Sequence, residues 1–413
     1  MILEPGNGLG RSLRELPRYL NGATISHGFI AWLFAVTGPL LVLLNAAQQG
    51  KLPQETISSW IFAGYAMGGV LSIFLSLYYR QPIASAWTIP GAILVGNFLT
   101  HFSFEQAVGA YIVTGLLITF LGVSGIIKKL MNWIPMPIIL GMVCGVLLPF
   151  GINIIKALGQ APVLSGATIA IFLASFFLGN LTKRLPPILW AILGGLLVAT
   201  LQKNVHWESF SLDFISPQLF TPSFSFSAAA ELVIPLALTV IAVQNGQGFA
   251  VLKSVDYNPP INAFTIYTGV GSLVSGILGS HSACITGPMN AIISSPTAGD
   301  HEGRYAGGVV AGLLFLPFAA LAPVAAAITQ LFPPALINVL GGLALIYVLA
   351  ASFGQSFGGS FRLGALFSFM ITLSNFTLFN IGSPFWGLVG GVLISLVLER
   401  RDFQTLQNSS SPK

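Results

Sequence analysis

Apolar runs recur along almost the whole chain, near residues 27–46, 57–79, 83–99, 105–127, 137–156, 166–182, 187–202, 228–250, 260–279, 283–298, 304–329, 333–352, 363–379 and 384–398. Many approach the ~20 apolar residues a helix needs to cross a bilayer, and polar residues collect in the short gaps between them. The pattern predicts an all-α polytopic membrane protein with fourteen transmembrane segments, several of them short or interrupted by Gly and Pro. Residues 1–26 read as a tail with no cleavable signal. Within it Leu9, Leu13, Leu16 and Leu20 share one helical face and Arg11, Arg14 and Arg18 another, as in a helix lying on an anionic membrane surface. Residues 204–226, rich in Phe, Ser and Pro, read as an outer interfacial linker, and 401–413 as a second tail.

Composition agrees with this reading. Charged residues are 7% of the chain and hydrophobic residues 54%, against roughly 25% charged in soluble domains. The net charge of +5 is scattered between the runs rather than gathered in a patch, so no nucleic-acid partner is expected. Cys144 and Cys284 fall inside apolar runs and imply no disulfide. No catalytic or metal-binding cluster is legible at membrane depth, so the expected protein is not an enzyme and carries no cofactor. If the N-terminus is cytoplasmic, 14 of the 17 Lys and Arg residues lie on the cytoplasmic side and only Lys51, Lys156 and Lys203 lie outside. That asymmetry is what the positive-inside rule demands, and it places both termini inside a cytoplasmic membrane.

The two halves of the chain repeat one another. Trp190 and Gly194 return as Trp386 and Gly390, an offset of 196; Ser85-Ala86 and Pro90-Gly91 answer Ser282-Ala283 and Gly287-Pro288, an offset of 197. The helix-opening prolines Pro135 and Pro137 answer Pro333 and Pro334. Seven crossings per half is an odd number, so residues 227–400 would repeat residues 27–203 upside down. Such inverted repeats belong to secondary transporters, whose sites lie where discontinuous helices meet.

Segments 3 and 10 carry the breaks. Ser85-Ala86-Trp87-Thr88-Ile89-Pro90-Gly91 and Ser282-Ala283-Cys284-Ile285-Thr286-Gly287-Pro288-Met289-Asn290 each place Pro and Gly about halfway across. Proline restrains its predecessor to an extended backbone yet suits the first turn of a helix. The expectation is an extended stretch followed by a half-helix opening near Pro90 or Pro288, with Thr88 and Thr286 as N-caps. In an inverted repeat the two half-helix N-termini would meet near the midplane and offer N–H donors and positive dipole ends to an anion.

Polar side chains at this depth are further candidates. Gln244 and Asn245 can donate to a bound carboxylate or to the extended strands; Asn290 can face the same cavity, and Trp87 can pack against a planar ring. Thr37-Gly38-Pro39 is expected to interrupt segment 1 in the corresponding place. For a coupling proton the candidates are His281, before segment 10, and Glu231, within segment 8.

Together Ser85-Ala86-Trp87-Thr88-Ile89-Pro90-Gly91-Ala92, Val243-Gln244-Asn245 and the stretch Gly279-Ser280-His281 to Asn290-Ala291-Ile292 resemble the benzoate–proton symporter family, over nearly the whole chain. Segment 10 departs from the family pattern, carrying Ile285-Thr286-Gly287-Pro288-Met289-Asn290 where an Ala-Ala-Ile-Thr-Ala-Ala run is usual. The resemblance implies the seven-plus-seven architecture shared with nucleobase and sulfate/bicarbonate transporters. In that fold segments 1–4 and 8–11 form a core domain and 5–7 and 12–14 a gate domain, often in a homodimer. Nucleobase carriers place carboxylates in segments 8 and 10; here Val243, Gln244 and Pro288 stand nearby, which argues against a nucleobase. The expected function is import of benzoate or a similar small aromatic carboxylate with a proton, by alternating access. The site would comprise Trp87, Thr88, Ile89, Pro90, Gly91, Gln244, Asn245, Thr286, Gly287, Pro288 and Asn290. The rivals are an exchanger of sulfate- or bicarbonate-like anions and a carrier of nucleobase-like rings.

Overall fold

The computed structural model describes residues 3–127, 135–177, 187–205, 213–374, 376, 378 and 383–404. Lys128, Lys129, Lys183, Arg184 and Lys413, with residues 206–212 of the expected linker and 405–413 of the expected tail, lie outside the described residues. In order the elements are α1 (Leu9–Tyr19), α2 (Gly22–Gln49), α3 (Gln54–Tyr79), β1 (Ser85–Ala86), α4 (Ile89–Phe98), α5 (Phe104–Ser124), α6 (Met136–Gln160), α7 (Pro162–Ser175) and α8 (Pro187–Leu201). The second half contains α9 (Phe226–Leu238), α10 (Gly246–Ser254), α11 (Ile261–Ile277), β2 (Cys284–Ile285), α12 (Gly287–Ile293), α13 (Tyr305–Ala320), α14 (Ala322–Leu331), α15 (Pro334–Phe357), α16 (Arg362–Leu373) and α17 (Ser383–Leu398). A π-helical turn, Thr239–Asn245, joins α9 to α10.

Every apolar run of the sequence carries a helix or a broken helix. Among the described residues six helices are long and apolar enough to cross a membrane, and the two parts of α15, bent by 40°, make a seventh when taken as one span. The remaining apolar helices are shorter. The run 304–329 divides at Leu321, whose N–H bonds back to Pro317 and Phe318 and closes α13 before α14 begins. Large apolar side chains such as Val70, Phe120, Ile155, Leu197 and Val397 are exposed, a surface that lipid rather than water suits.

The expected interruption at Thr37-Gly38-Pro39 does not occur; α2 runs straight through it. Pro39 lacks an N–H, which leaves the carbonyl of Ala35, four residues earlier, without its helical donor. Tyr65 Oη donates to that carbonyl at 2.8 Å, and the Thr37 hydroxyl donates to Leu33 O at 2.8 Å. A neighbouring side chain thus repairs the helix.

Helix α1 docks on the protein by one edge. Ser12 is buried and its carbonyl accepts from Tyr305 Oη at 2.9 Å, while Glu15 pairs with Arg80 at 2.7 Å. Leu9, Leu13 and Leu20 stay exposed. Ahead of it, the Glu4 carboxylate accepts the N–H groups of Asn262 and Ala263 at 3.2 and 2.8 Å, capping the start of α11.

Buried apolar residues form one large cluster around α2–α6 and β1 and the second-half elements α9 and α12–α15, reaching Leu388 of α17. A second cluster joins α6, α7 and α8 to α15 through residues such as Ile154, Phe172, Ala191 and Leu340. Across the two halves α3 packs along α13, and α5 along α11.

Candidate substrate site

The two broken segments meet and pair. β1 and β2 run antiparallel, Ser85 opposite Ile285 and Ala86 opposite Cys284, and the Thr286 N–H continues the ladder to Ala84 O at 3.0 Å. From the ends of this short ribbon α4 and α12 depart, each with proline in its first turn. Thr88 is the N-cap of α4 and accepts the Gly91 N–H at 3.4 Å. Thr286 occupies the same position before α12, but its hydroxyl donates to Ala84 O at 3.4 Å and caps nothing. Thr88 matches Thr286 and Pro90 matches Pro288 (286 − 88 = 288 − 90 = 198), so the structural register is one residue longer than the sequence offset of 197. At seven residues α12 has under two turns, so most of the dipole at this junction comes from the ten-residue α4.

Extended backbone buried among helices must find hydrogen-bond partners, and two serines absent from the sequence-based candidates supply them. Ser72 Oγ accepts the Ser85 N–H at 2.8 Å and donates to Gly68 O at 2.6 Å. In the second half Ser272 Oγ accepts the Ala283 N–H at 2.9 Å and donates to Thr268 O at 2.7 Å. The signal was present as Gly69-Val70-Leu71-Ser72 against Gly269-Val270-Gly271-Ser272. Gly68 lets β1 come close, because a Cβ there would lie 2.8 Å from Ser85 O.

The amide candidates divide by role. Asn245 Oδ1 accepts the Ile285 N–H at 2.8 Å and its Nδ2 donates to Thr268 Oγ1 at 3.1 Å; it holds β2 in place. Asn290 Oδ1 accepts the Ala84 N–H at 2.8 Å and holds the strand leading to β1. Gln244 is different. It is buried, its side-chain oxygen has no hydrogen-bond partner, and it lines a small cavity between the two half-helices.

That cavity, about 20 Å³, is walled by Phe34, Ala35, Pro39, Tyr65, Ala86, Trp87, Ile89, Gln244, Thr286, Pro288 and Met289. Of the candidates, Trp87, Ile89, Gln244, Thr286 and Pro288 line it directly, whereas Thr88, Pro90, Gly91, Gly287, Asn245 and Asn290 stand behind the wall. Trp87 packs edge-on against Tyr65 and His281, ring centroids 6.0 and 5.6 Å apart. Phe34, Pro39, Ile89 and Pro288 also border a vestibule of about 310 Å³, closed on its other side by Leu140 of α6 and Leu345, Tyr347, Ser352 and Gln355 of α15. A vestibule of that volume falls in the range of small-molecule sites.

The proton candidates sit apart from the cavity. His281 is fully buried; its Nδ1 accepts from Trp60 Nε1–H at 3.0 Å and its Nε2 faces Thr88 O at 2.9 Å. An indole N–H only donates and a carbonyl only accepts, so the ring is held as the neutral Nε2–H tautomer and ties segment 10 to the N-cap of α4. Glu231 pairs with His101, its two oxygens 2.9 and 3.0 Å from Nε2. Among the described residues no group of three or more His, Cys, Asp or Glu side chains could hold a metal ion.

A family model of benzoate membrane transport proteins matches residues 19–397. The chain belongs to that family. Its members are membrane transporters, not enzymes. This benzoate-transport family member is 31% identical over 390 residues to "Inner membrane protein YdcO" of Escherichia coli (strain K12), covering 92% of this chain and 98% of the relative. It is 28% identical over 381 residues to the "Benzoate membrane transport protein" of Acinetobacter baylyi (strain ATCC 33305 / BD413 / ADP1), covering 91% and 95%. Its fold is that of anion transporters. SLC26A9 superposes with a TM-score of 0.62 at 13% identity, over 94% of this chain and 67% of the other. The transmembrane domain of the cyanobacterial bicarbonate transporter BicA gives 0.61 at 14%, over 91% and 98%.

Proposed function

We propose that this protein imports benzoate or a similar small aromatic carboxylate across the cytoplasmic membrane together with a proton, by alternating access. The observation that carries the reading is the unpartnered Gln244 side chain in a cavity with aromatic walls, between two paired broken helices. The cavity as it stands is too small for a ring, so binding widens it between Phe34, Tyr65, Trp87 and Met289, beside the vestibule. The carboxylate takes the free first-turn N–H of α4 at Ile89 and the Gln244 amide, turned to donate its N–H₂, since amide O and N are interchangeable by rotation. Thr286 and Pro288 form the facing wall, and Thr88, Pro90, Gly91, Gly287, Asn245 and Asn290 hold the frame.

The architecture proposed with it is an inverted seven-plus-seven repeat, supported by the matched serine bridges from Ser72 and Ser272 and by the crossed packing of α3 on α13 and α5 on α11. In this reading α2–α5 and α9–α14 make the core domain and α6–α8 and α15–α17 the gate domain, and the large apolar cluster spans the seam between them. By the charge distribution, the vestibule lined by Ser352 and Gln355 opens toward the cytoplasm, an inward-facing state. Closing the vestibule by moving core against gate would expose the other end of the cavity.

Uptake of labelled benzoate into proteoliposomes tests the proposal. Accumulation under an inward proton gradient, abolished by a protonophore and competed by other aromatic acids, is expected. Transport of sulfate or bicarbonate without uptake of aromatic acids would replace it with the inorganic-anion reading.

A further inference from the structure

At the end of α4 remote from the cavity, His101 and Glu231 form a contact whose geometry requires a proton. The Thr100 hydroxyl donates to Asn97 O at 2.6 Å, so its oxygen is left to accept, and His101 Nδ1 lies 3.0 Å from it. Nδ1 therefore carries a hydrogen. Nε2 faces both Glu231 oxygens, at 2.9 and 3.0 Å. With one more proton this contact is favourable, either as an imidazolium against a carboxylate or as a carboxyl donating to neutral Nε2. Without it, the Nε2 lone pair would point at carboxylate oxygens at hydrogen-bond distance, a repulsive arrangement. The contact therefore holds one proton between the two side chains.

Its position gives that proton access and leverage. The His101 side chain is 43% exposed and Glu231 only 6%, so the proton reaches a buried carboxylate through an accessible imidazole. His101 follows α4, whose first residue Ile89 lines the cavity; Glu231 lies on α9, which leads through the π-helical turn to Gln244. The two elements proposed to grip the carboxylate are thus joined at their far ends by this contact. On the elements packed against the pair, the other titratable groups are Glu105 and Tyr111 on α5, His27 on α2, and Cys144 and Lys156 on α6; α4, α17 and the π-helical turn carry none.

Resting on the reading of proton-coupled import, we propose that His101 and Glu231 are the proton-binding site of the transport cycle. The proton is taken from solution at His101, is held between the two side chains while α4 and α9 are locked together, and leaves when the link opens. His281, with both nitrogens committed, positions the break and takes no part in carrying the coupling proton.

The variants Glu231→Gln and His101→Gln test this in proteoliposomes with labelled benzoate. Both are expected to lose accumulation under an imposed pH gradient, down to the level of protein-free vesicles, while still exchanging labelled for unlabelled benzoate, which needs no net proton movement. Full gradient-driven accumulation in both variants would overturn the proposal and put the proton on the substrate. A second readout needs no substrate: the pH-difference infrared spectrum of the purified protein should contain a carboxyl band that Glu231→Gln removes and His101→Gln shifts. Identical spectra in all three proteins would also overturn it, whereas a wild-type band without any benzoate transport would indict the substrate assignment alone.

Discussion

Adjacent amides with opposite fates provide the sharpest prediction. Gln244 lines the cavity with its side-chain oxygen unpartnered, while Asn245 makes two buried hydrogen bonds, one of them to the Ile285 backbone of β2. Gln244→Ala removes no bond within the protein, so it should leave stability nearly unaltered. It should remove a hydrogen bond to a charged carboxylate, worth about 1.5–3 kcal/mol, which raises the Kd for benzoate by roughly 10- to 100-fold. Asn245→Ala should do the reverse. It strands a buried N–H at a cost of about 1–3 kcal/mol and creates a small void besides; the apparent melting temperature should fall, and binding should weaken only through loosening of β2. Benzoate titration calorimetry and thermal melting on the purified proteins in one detergent separate the two effects. The reasoning is refuted if Gln244→Ala binds benzoate as wild type does, or if Asn245→Ala melts as wild type does.

Other outcomes follow from the same contacts. Ser72→Ala and Ser272→Ala should each destabilise by about 1–3 kcal/mol, because each strands one strand N–H in an equivalent place; a large difference between their melting temperatures would contradict the equivalence. Tyr65→Phe should cost about 1 kcal/mol by leaving the Ala35 carbonyl unpaired beside Pro39, and Tyr65→Phe combined with Pro39→Ala should recover part of it. Arg80, and to a lesser degree Arg11, hold the Glu15 carboxyl below its ordinary value of 4.5. A depressed carboxyl contributes docking energy above that ordinary value and loses it as pH falls through the lower, folded one. Hydrogen exchange across residues 9–19 should therefore quicken in acid relative to Glu15→Gln, which is already undocked; parallel pH profiles would show that the pair does not hold α1.

The breaks at Pro90 and Pro288 could be read from the chain because a mid-span proline acts on its immediate neighbours. The pairing of the two extended stretches could not, since it joins residues 200 positions apart (Ser85 with Ile285). Thr37-Gly38-Pro39 looked like a third break, and only the Tyr65 hydroxyl, supplied from another helix, keeps α2 whole. Gln244 and Asn245 were equally plausible ligands by type; their separation depends on which one the π-helical turn aims at the strand. His101 lies in a gap between apolar runs, and nothing near it in sequence announces Glu231. Ser72 and Ser272 sit inside apolar runs, and only the strand N–H groups beside them give them a role.

A crystal or electron-microscopy structure with 4-bromobenzoate, located by its bromine, bears on substrate placement most directly. The ring should lie between Trp87, Ile89, Gln244 and Pro288, with its carboxylate toward the first turn of α4. Bromine found only in the vestibule beside Tyr347 and Gln355, or nowhere between the broken helices, would contradict it.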